Sequence, residues 1–140
     1  MLFLPREVKL LLSLPQGSKF NVISKKFSML PVIKPGDVLD VEKISYRNIK
    51  IYDIIAFYTD NPPFLIAHRV IKKKNIDSNI NIFLTKGDNN NDQDKWLVDE
   101  KHYIGKVILP KRNLKKDIIK FFKKWLKMFY LNTYITLLLL

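Results

Sequence analysis

Cysteine is absent from this 140-residue chain, and only two histidines occur, His68 and His102. The first absence excludes disulfide frameworks, cysteine-based zinc sites and a thiol nucleophile together. The scarcity of histidine argues against a His-rich metal centre, and nothing in the sequence asks for a cofactor. Long apolar runs are missing as well. The opening segment "MLFLPREVKLLLSLPQG" is broken by Pro5, Arg6, Glu7 and Lys9, so it does not read as a secretory signal peptide. No stretch reaches the roughly 18 uninterrupted apolar residues that a spanning helix needs. Internal repeats are absent too.

What is present is a chain that can fold. Hydrophobic residues make up 47% of it, which excludes a disordered polypeptide. The length suits one domain with a modest core. Net charge is +12, but it is unevenly placed. Between Lys111 and Lys127 stand eight basic residues and one acid, Asp117, a net +7 that leaves only +5 for residues 1–110. The basicity belongs to the tail, and three segments follow: an N-terminal stretch 1–17, a central domain 18–110, and a basic and apolar tail 111–140.

Periodicity supplies the fold class. "PREVKLLLSLP" suits a short helix opened by Pro5 and closed near Pro15. "SKFNVIS" (18–24) alternates, with Phe20 and Val22 on one face. "VLDVEKI" (38–44) alternates less cleanly and is expected to put Val38 and Val41 into a core. "DIIAFYT" (53–59) reads as a strand buried on both faces, and Asn61-Pro62-Pro63 as a turn. "FLIAHRVIKKK" and "INIFLTKGD" pair across a polar hairpin around 75–79, and "HYIGKVILP" closes the domain. "GDNNNDQDKW" is a loop. Five or six strands with short turns predict a mostly β domain, a small antiparallel sheet or partly closed barrel.

Beyond Pro110 the period lengthens. Leu114, Ile118, Phe121, Phe122, Trp125 and Phe129 recur at three- and four-residue steps, with lysines between them. That pattern predicts a cationic amphipathic helix suited to a membrane surface. The uncharged run that follows, "MFYLNTYITLLLL", would cover only about 20 Å of a roughly 30 Å hydrocarbon core. Nucleic acid is a less favoured acidic partner for 111–140, because Phe, Trp and Leu on the opposite face suit lipid better.

Three residue types in separate strands and loops carry possible chemistry: Ser28 in "KFSMLPVIKPGD", His68 in "IAHRVI", and the aspartates Asp88, Asp92 and Asp94 in "KGDNNNDQD". Each alone has an ordinary reading as a turn serine, a half-buried strand histidine and turn-forming aspartates. Together they form the set that acyl transfer needs. A serine hydroxyl attacks only when a base accepts its proton, imidazole can do so at neutral pH, and a carboxylate fixes the imidazole tautomer.

The same segments resemble type I signal peptidases. "SMLPVIKPGDVLDV" is similar to the family's nucleophile box, "DIIAFY" to the strand after it, "IAHRVI" to the base-bearing box, "FLTKGDNNNDQD" to the Thr-Lys-Gly-Asp-Asn box, and "YIGKVI" to the closing strand. The order is right, and the likeness runs from about Phe20 to Leu109. Histidine rather than lysine at position 68 resembles the archaeal and endoplasmic-reticulum branch and small bacterial signal-peptidase-like proteins. The resemblance implies a serine endopeptidase with Ser28 as nucleophile, His68 as general base, Asp94 as orienting carboxylate and Asp88 as a supporting acid. It also implies an extended peptide or preprotein substrate, bound by strand addition, and a membrane-associated, extracytoplasmic setting. In the family a membrane helix normally precedes the nucleophile box, and residues 1–27 offer no segment of that length. Three positions depart from the family: Tyr52 stands where Gly precedes the aspartate, Phe27 where a small residue precedes the serine, and Lys26 where a hydroxyl donor is common. Bulk at Phe27 is expected to crowd the substrate. A second class of function, an inactive peptide-binding module on the same scaffold, is compatible with these departures.

Overall fold

The computed structural model describes residues 5–77, 80–109 and, within the tail, Lys123, Leu126 and Lys127. Its chain divides into two compact units, Met1–Ile108 and Leu109–Leu140. In the second unit Lys123, Leu126 and Lys127 are helical and exposed. The rest of the expected amphipathic helix lies outside the described residues, as do residues 78 and 79.

The first unit is one antiparallel sheet curved into a half-barrel. Helix α1 (Arg6–Ser13) precedes strands β1 (Lys19–Ile23), β2 (Val38–Glu42), β3 (Ile54–Tyr58), β4 (Leu65–Asp77), β5 (Ile80–Lys86), β6 (Leu97–Val98) and β7 (Tyr103–Ile108). The strands stand in the order β1-β2-β7-β3-β4-β5-β6. A single 3₁₀ turn at Tyr46–Asn48 interrupts the β2–β3 connection. The mostly β reading holds, with one strand more than the alternation showed.

β3 explains why the sheet is packed on both faces. Ile54, Ala56 and Tyr58 enter one apolar cluster with Met29, Ile33, Leu39 and Val41. Ile55 and Phe57 enter the other, with Tyr46, Val70, Phe83 and Tyr103. Alternation therefore buries all five β3 residues, and each large apolar side chain among them contributes roughly 1.5–3 kcal/mol by leaving water. α1 adds Val8 to the first cluster, and Lys43 Nζ reaches back from beyond β2 to donate to the α1 carbonyls of Leu11 and Leu12 at 3.1 and 2.5 Å.

One expectation is overturned in β2. Val38 is 63% exposed, and the core takes Leu39 in its place beside Val41, which is buried as expected. Val38 shares its face with Asp40 and pairs across with Ile23, itself exposed. Asp40 on the Val38 side sets the register, because burying its carboxylate costs more than exposing one valine.

The Pro35-Gly36 pair is a turn in the service of β2. Asp37 N–H donates to Lys34 C=O at 3.1 Å, and Gly36 holds φ at 90°, a backbone region that L side chains rarely adopt. The same turn ties β1 to β2, since Ser24 N–H donates to Asp37 C=O and Gly36 N–H to Ser24 C=O.

Candidate active site

Ser28 sits in a tight turn between β1 and β2, where Leu30 N–H donates to Phe27 C=O and Ile33 N–H to Met29 C=O. Met29 and Ile33, 3% and 2% exposed, sink into the core beside it. That anchoring holds the serine at the wall of a cleft.

His68 comes from β4, on the strand face of Ile66 and Val70, with its ring edge-on to Phe57 at 6.4 Å. Its Nε2 lies 3.0 Å from Ser28 Oγ, and its Nδ1 lies 2.6 Å from Asp94 Oδ2. The Asp94 carboxylate only accepts, so Nδ1 carries the proton and Nε2 is free to accept from the serine hydroxyl. The two side chains are 8% and 5% exposed, so little water competes for that bond.

Asp94 is itself held. Thr85, fully buried in β5, donates its hydroxyl to Asp94 Oδ2 at 2.6 Å, and Asp94 N–H donates to Thr85 C=O at 2.8 Å. Sequence reading missed Thr85. Its signal lay in the Thr-Lys-Gly-Asp box, two residues ahead of the glycine.

The three loop aspartates separate cleanly. Asp94 meets the ring; Asp92 is exposed; Asp88 does not reach His68. Asp88 instead takes a bidentate pair of hydrogen bonds from Arg69, at 2.8 Å from Nε and 2.7 Å from Nη2, and this pairing raises the Arg69 pKa above its ordinary value. A third Arg69 nitrogen donates to Tyr52 C=O at 2.8 Å. The supporting acid therefore fixes the residue next to the histidine, not the histidine itself.

The same loop clamps the serine turn. Asn89 N–H donates to Ser28 C=O at 2.8 Å and Asn89 Nδ2 to Phe27 C=O at 3.2 Å. This contact needs Gly87, because a Cβ there would stand 2.6 Å from Ser28 O. Phe27 is 65% exposed and does not line the cleft, so the expected crowding does not arise.

The cleft has a volume of about 540 Å³ and runs past Ser28 and His68 between the end of β1 and the start of β4. Both borders are open. β1 pairs only with β2, and Leu65–His68 of β4 pair only with β3, since β5 joins β4 from Arg69 onward. Met29, Ala56, Ile66 and Ala67 supply apolar lining. Among the described residues no cluster of His, Asp and Glu is arranged to hold a metal.

The chain is similar in sequence to curated signal peptidase catalytic subunits. The chain is 34% identical over 92 residues to the signal peptidase complex catalytic subunit SEC11 of Zygosaccharomyces rouxii, covering 66% of this chain and 50% of that protein. It is 37% identical over 73 residues to the catalytic subunit SEC11C of Homo sapiens and of Canis lupus familiaris, covering 52% of this chain and 38% of each relative. This chain is signal-peptidase-like. The signal-peptidase-like chain spans half or less of the length of these relatives. No family model matches it, and no solved structure does. Among its described residues no helix is long and apolar enough to cross a membrane.

Proposed function

We propose that the chain is a serine endopeptidase of signal peptidase type, which cuts a leader or signal-like peptide at Ser28. The observation that carries this reading is the run of contacts from Ser28 Oγ through His68 to Asp94, facing a cleft with two open strand borders. Ser28 Oγ attacks the peptide carbonyl carbon as its proton passes to His68 Nε2. The imidazolium, held by Asp94, then gives that proton to the leaving amine as the C–N bond breaks. Water adds to the acyl-enzyme with His68 again as base; the ester C–O bond breaks and Ser28 recovers its proton. The Ser28 N–H supplies one donor to the oxyanion.

The substrate lies extended along β1. Ser24 uses both backbone groups on Asp37 and Gly36, in the turn that leads into β2, so the alternation of an antiparallel strand turns the N–H and C=O of Asn21 and Ile23 outward. The relatives' names speak of a signal peptidase complex. By that likeness the setting is a membrane, with residues 111–140 at its surface and preproteins as substrates.

The test is cleavage of a secretory precursor by the full chain beside Ser28→Ala, His68→Ala and Asp94→Asn. Ser28→Ala and His68→Ala should each lower turnover about 10⁶-fold, and Asp94→Asn about 10⁴-fold. Full proteolysis by Ser28→Ala would sink the reading. Peptide binding without any cleavage by the wild type would make the chain a binding module.

A further inference from the structure

The cleft carries positive charge that no ion pair among the described residues answers. Lys25 and Lys26 both line it. Among the described residues the one carboxylate that lines it, Asp94, already accepts hydrogen bonds from His68 and Thr85 through a single oxygen. Among the described residues no carboxylate forms an ion pair with Lys26. Its ammonium instead lies 4.9 Å from the centroid of the Phe64 ring. Phe64 leads into β4, on the wall opposite the serine turn, so the Lys26 side chain reaches across the cleft two residues ahead of Ser28.

A single cation–π contact at a partly exposed ring is too weak to lock the lysine there. An extended peptide filling the cleft would displace Lys26 from Phe64 and strip water from its ammonium. Both losses need compensation, and a carboxylate on the peptide supplies it, whereas a second cation would add repulsion.

We propose that Lys26 is a specificity-determining residue that selects peptides carrying an acidic side chain close to the scissile bond. This rests on the peptidase reading for its chemistry but not for its measurement. The ammonium needs only a carboxylate within ion-pair reach, and the matching position lies within the few peptide residues that cross the cleft beside Ser28. Lys25, exposed on the same segment, reinforces the field.

The experiment uses the full chain and one precursor-derived peptide in which each residue around the cut is replaced in turn by Glu, Gln or Lys. At one position Glu should outperform Gln by roughly three- to tenfold in kcat/KM, with the advantage shrinking in high salt. Lys26→Gln should erase that ratio, and Lys26→Glu should reverse it to favour Lys. The same peptides are then titrated against Ser28→Ala protein with and without the Lys26 changes, which needs no cleavage. If the wild type cuts nothing but the binding ratio still follows position 26, the peptidase reading fails and this inference stands. An unchanged Glu-to-Gln ratio in Lys26→Gln, or a ratio that follows Lys25→Gln instead, overturns it.

Discussion

Tyr52 holds its backbone at φ 75°, a left-handed conformation that is uncommon for a residue with a Cβ. Its N–H donates to Val70 C=O at 2.7 Å and its C=O accepts from Arg69, so the strain is held from both sides by the segment that bears His68. The side chain is 71% exposed and gives little packing in return. Tyr52→Gly should therefore stabilise the fold by about 1 kcal/mol, less the extra chain entropy of glycine, read as a higher urea midpoint with unchanged slope. An unchanged or lower midpoint would mean that the tyrosine ring packs usefully after all. At Gly87 the opposite holds. Gly87→Ala should push the serine turn away from its Asn89 clamp and cost about 1–3 kcal/mol of stability, with a loss of turnover beyond it. The sequence shows that position 52 departs from a glycine; that the departure is a matter of backbone angle appears only in three dimensions.

Between the β3–β4 turn and the start of β7, a second imidazole joins two carboxylates. His102 Nδ1 lies 2.5 Å from Asp99 Oδ1 and Nε2 lies 2.7 Å from Asp60 Oδ2, under the Tyr58 ring. Both nitrogens face acceptors, so the arrangement is complete only with the ring doubly protonated. Burial pulls the His102 pKa down, but the bonds to Asp60 and Asp99 outweigh it and leave it raised. Burial pushes Asp99 up, yet its bonds to His102 leave it lowered. A raised histidine contributes stability that is full below its unfolded value near 6.5 and is lost as pH rises through the folded value. A lowered aspartate contributes stability above its ordinary range, lost as pH falls through the depressed value. Thermal stability should thus peak on the acid side of neutral and decline as His102 loses its proton, and His102→Gln should flatten that decline. An identical slope in the variant would remove the clasp from the account. Such pairings are not legible in sequence, because Asp60 and His102 lie on separate connections and meet only through the β3–β7 ladder. Elements were legible in proportion to their length and contrast. β3 announced itself by five consecutive apolar residues, and β1 by clean alternation. β2 begins with two apolar residues and so leaves its inward face ambiguous until Asp40 is weighed, while β6, two residues long, has no period to read. Ser28, His68 and the loop aspartates were legible as residue types in separate boxes; which of Asp88, Asp92 and Asp94 meets the ring depends on how the loop turns back onto Thr85.

On the scale of the whole molecule, charge and chemistry are segregated along the chain. The segment from Lys111 to Lys127 carries a net +7, while residues 1–110, which hold Ser28, His68 and Asp94, carry +5. On the proposed function, such a division would let the tail concentrate the chain at an anionic leaflet. Each lysine close to that surface contributes about 1 kcal/mol, within a Debye length of about 8 Å at physiological salt. Replacing Lys115, Lys116, Lys120 and Lys123 by glutamate in the full chain should therefore abolish sedimentation with vesicles rich in phosphatidylserine. Cleavage of a short soluble peptide should remain as it was, and cleavage of a vesicle-inserted precursor should fall at least tenfold. The soluble-peptide arm separates lost targeting from lost folding. If the charge-reversed chain still sediments with the vesicles, the basic face is not the anchor, and the apolar run from 128 to 140 becomes the segment to remove.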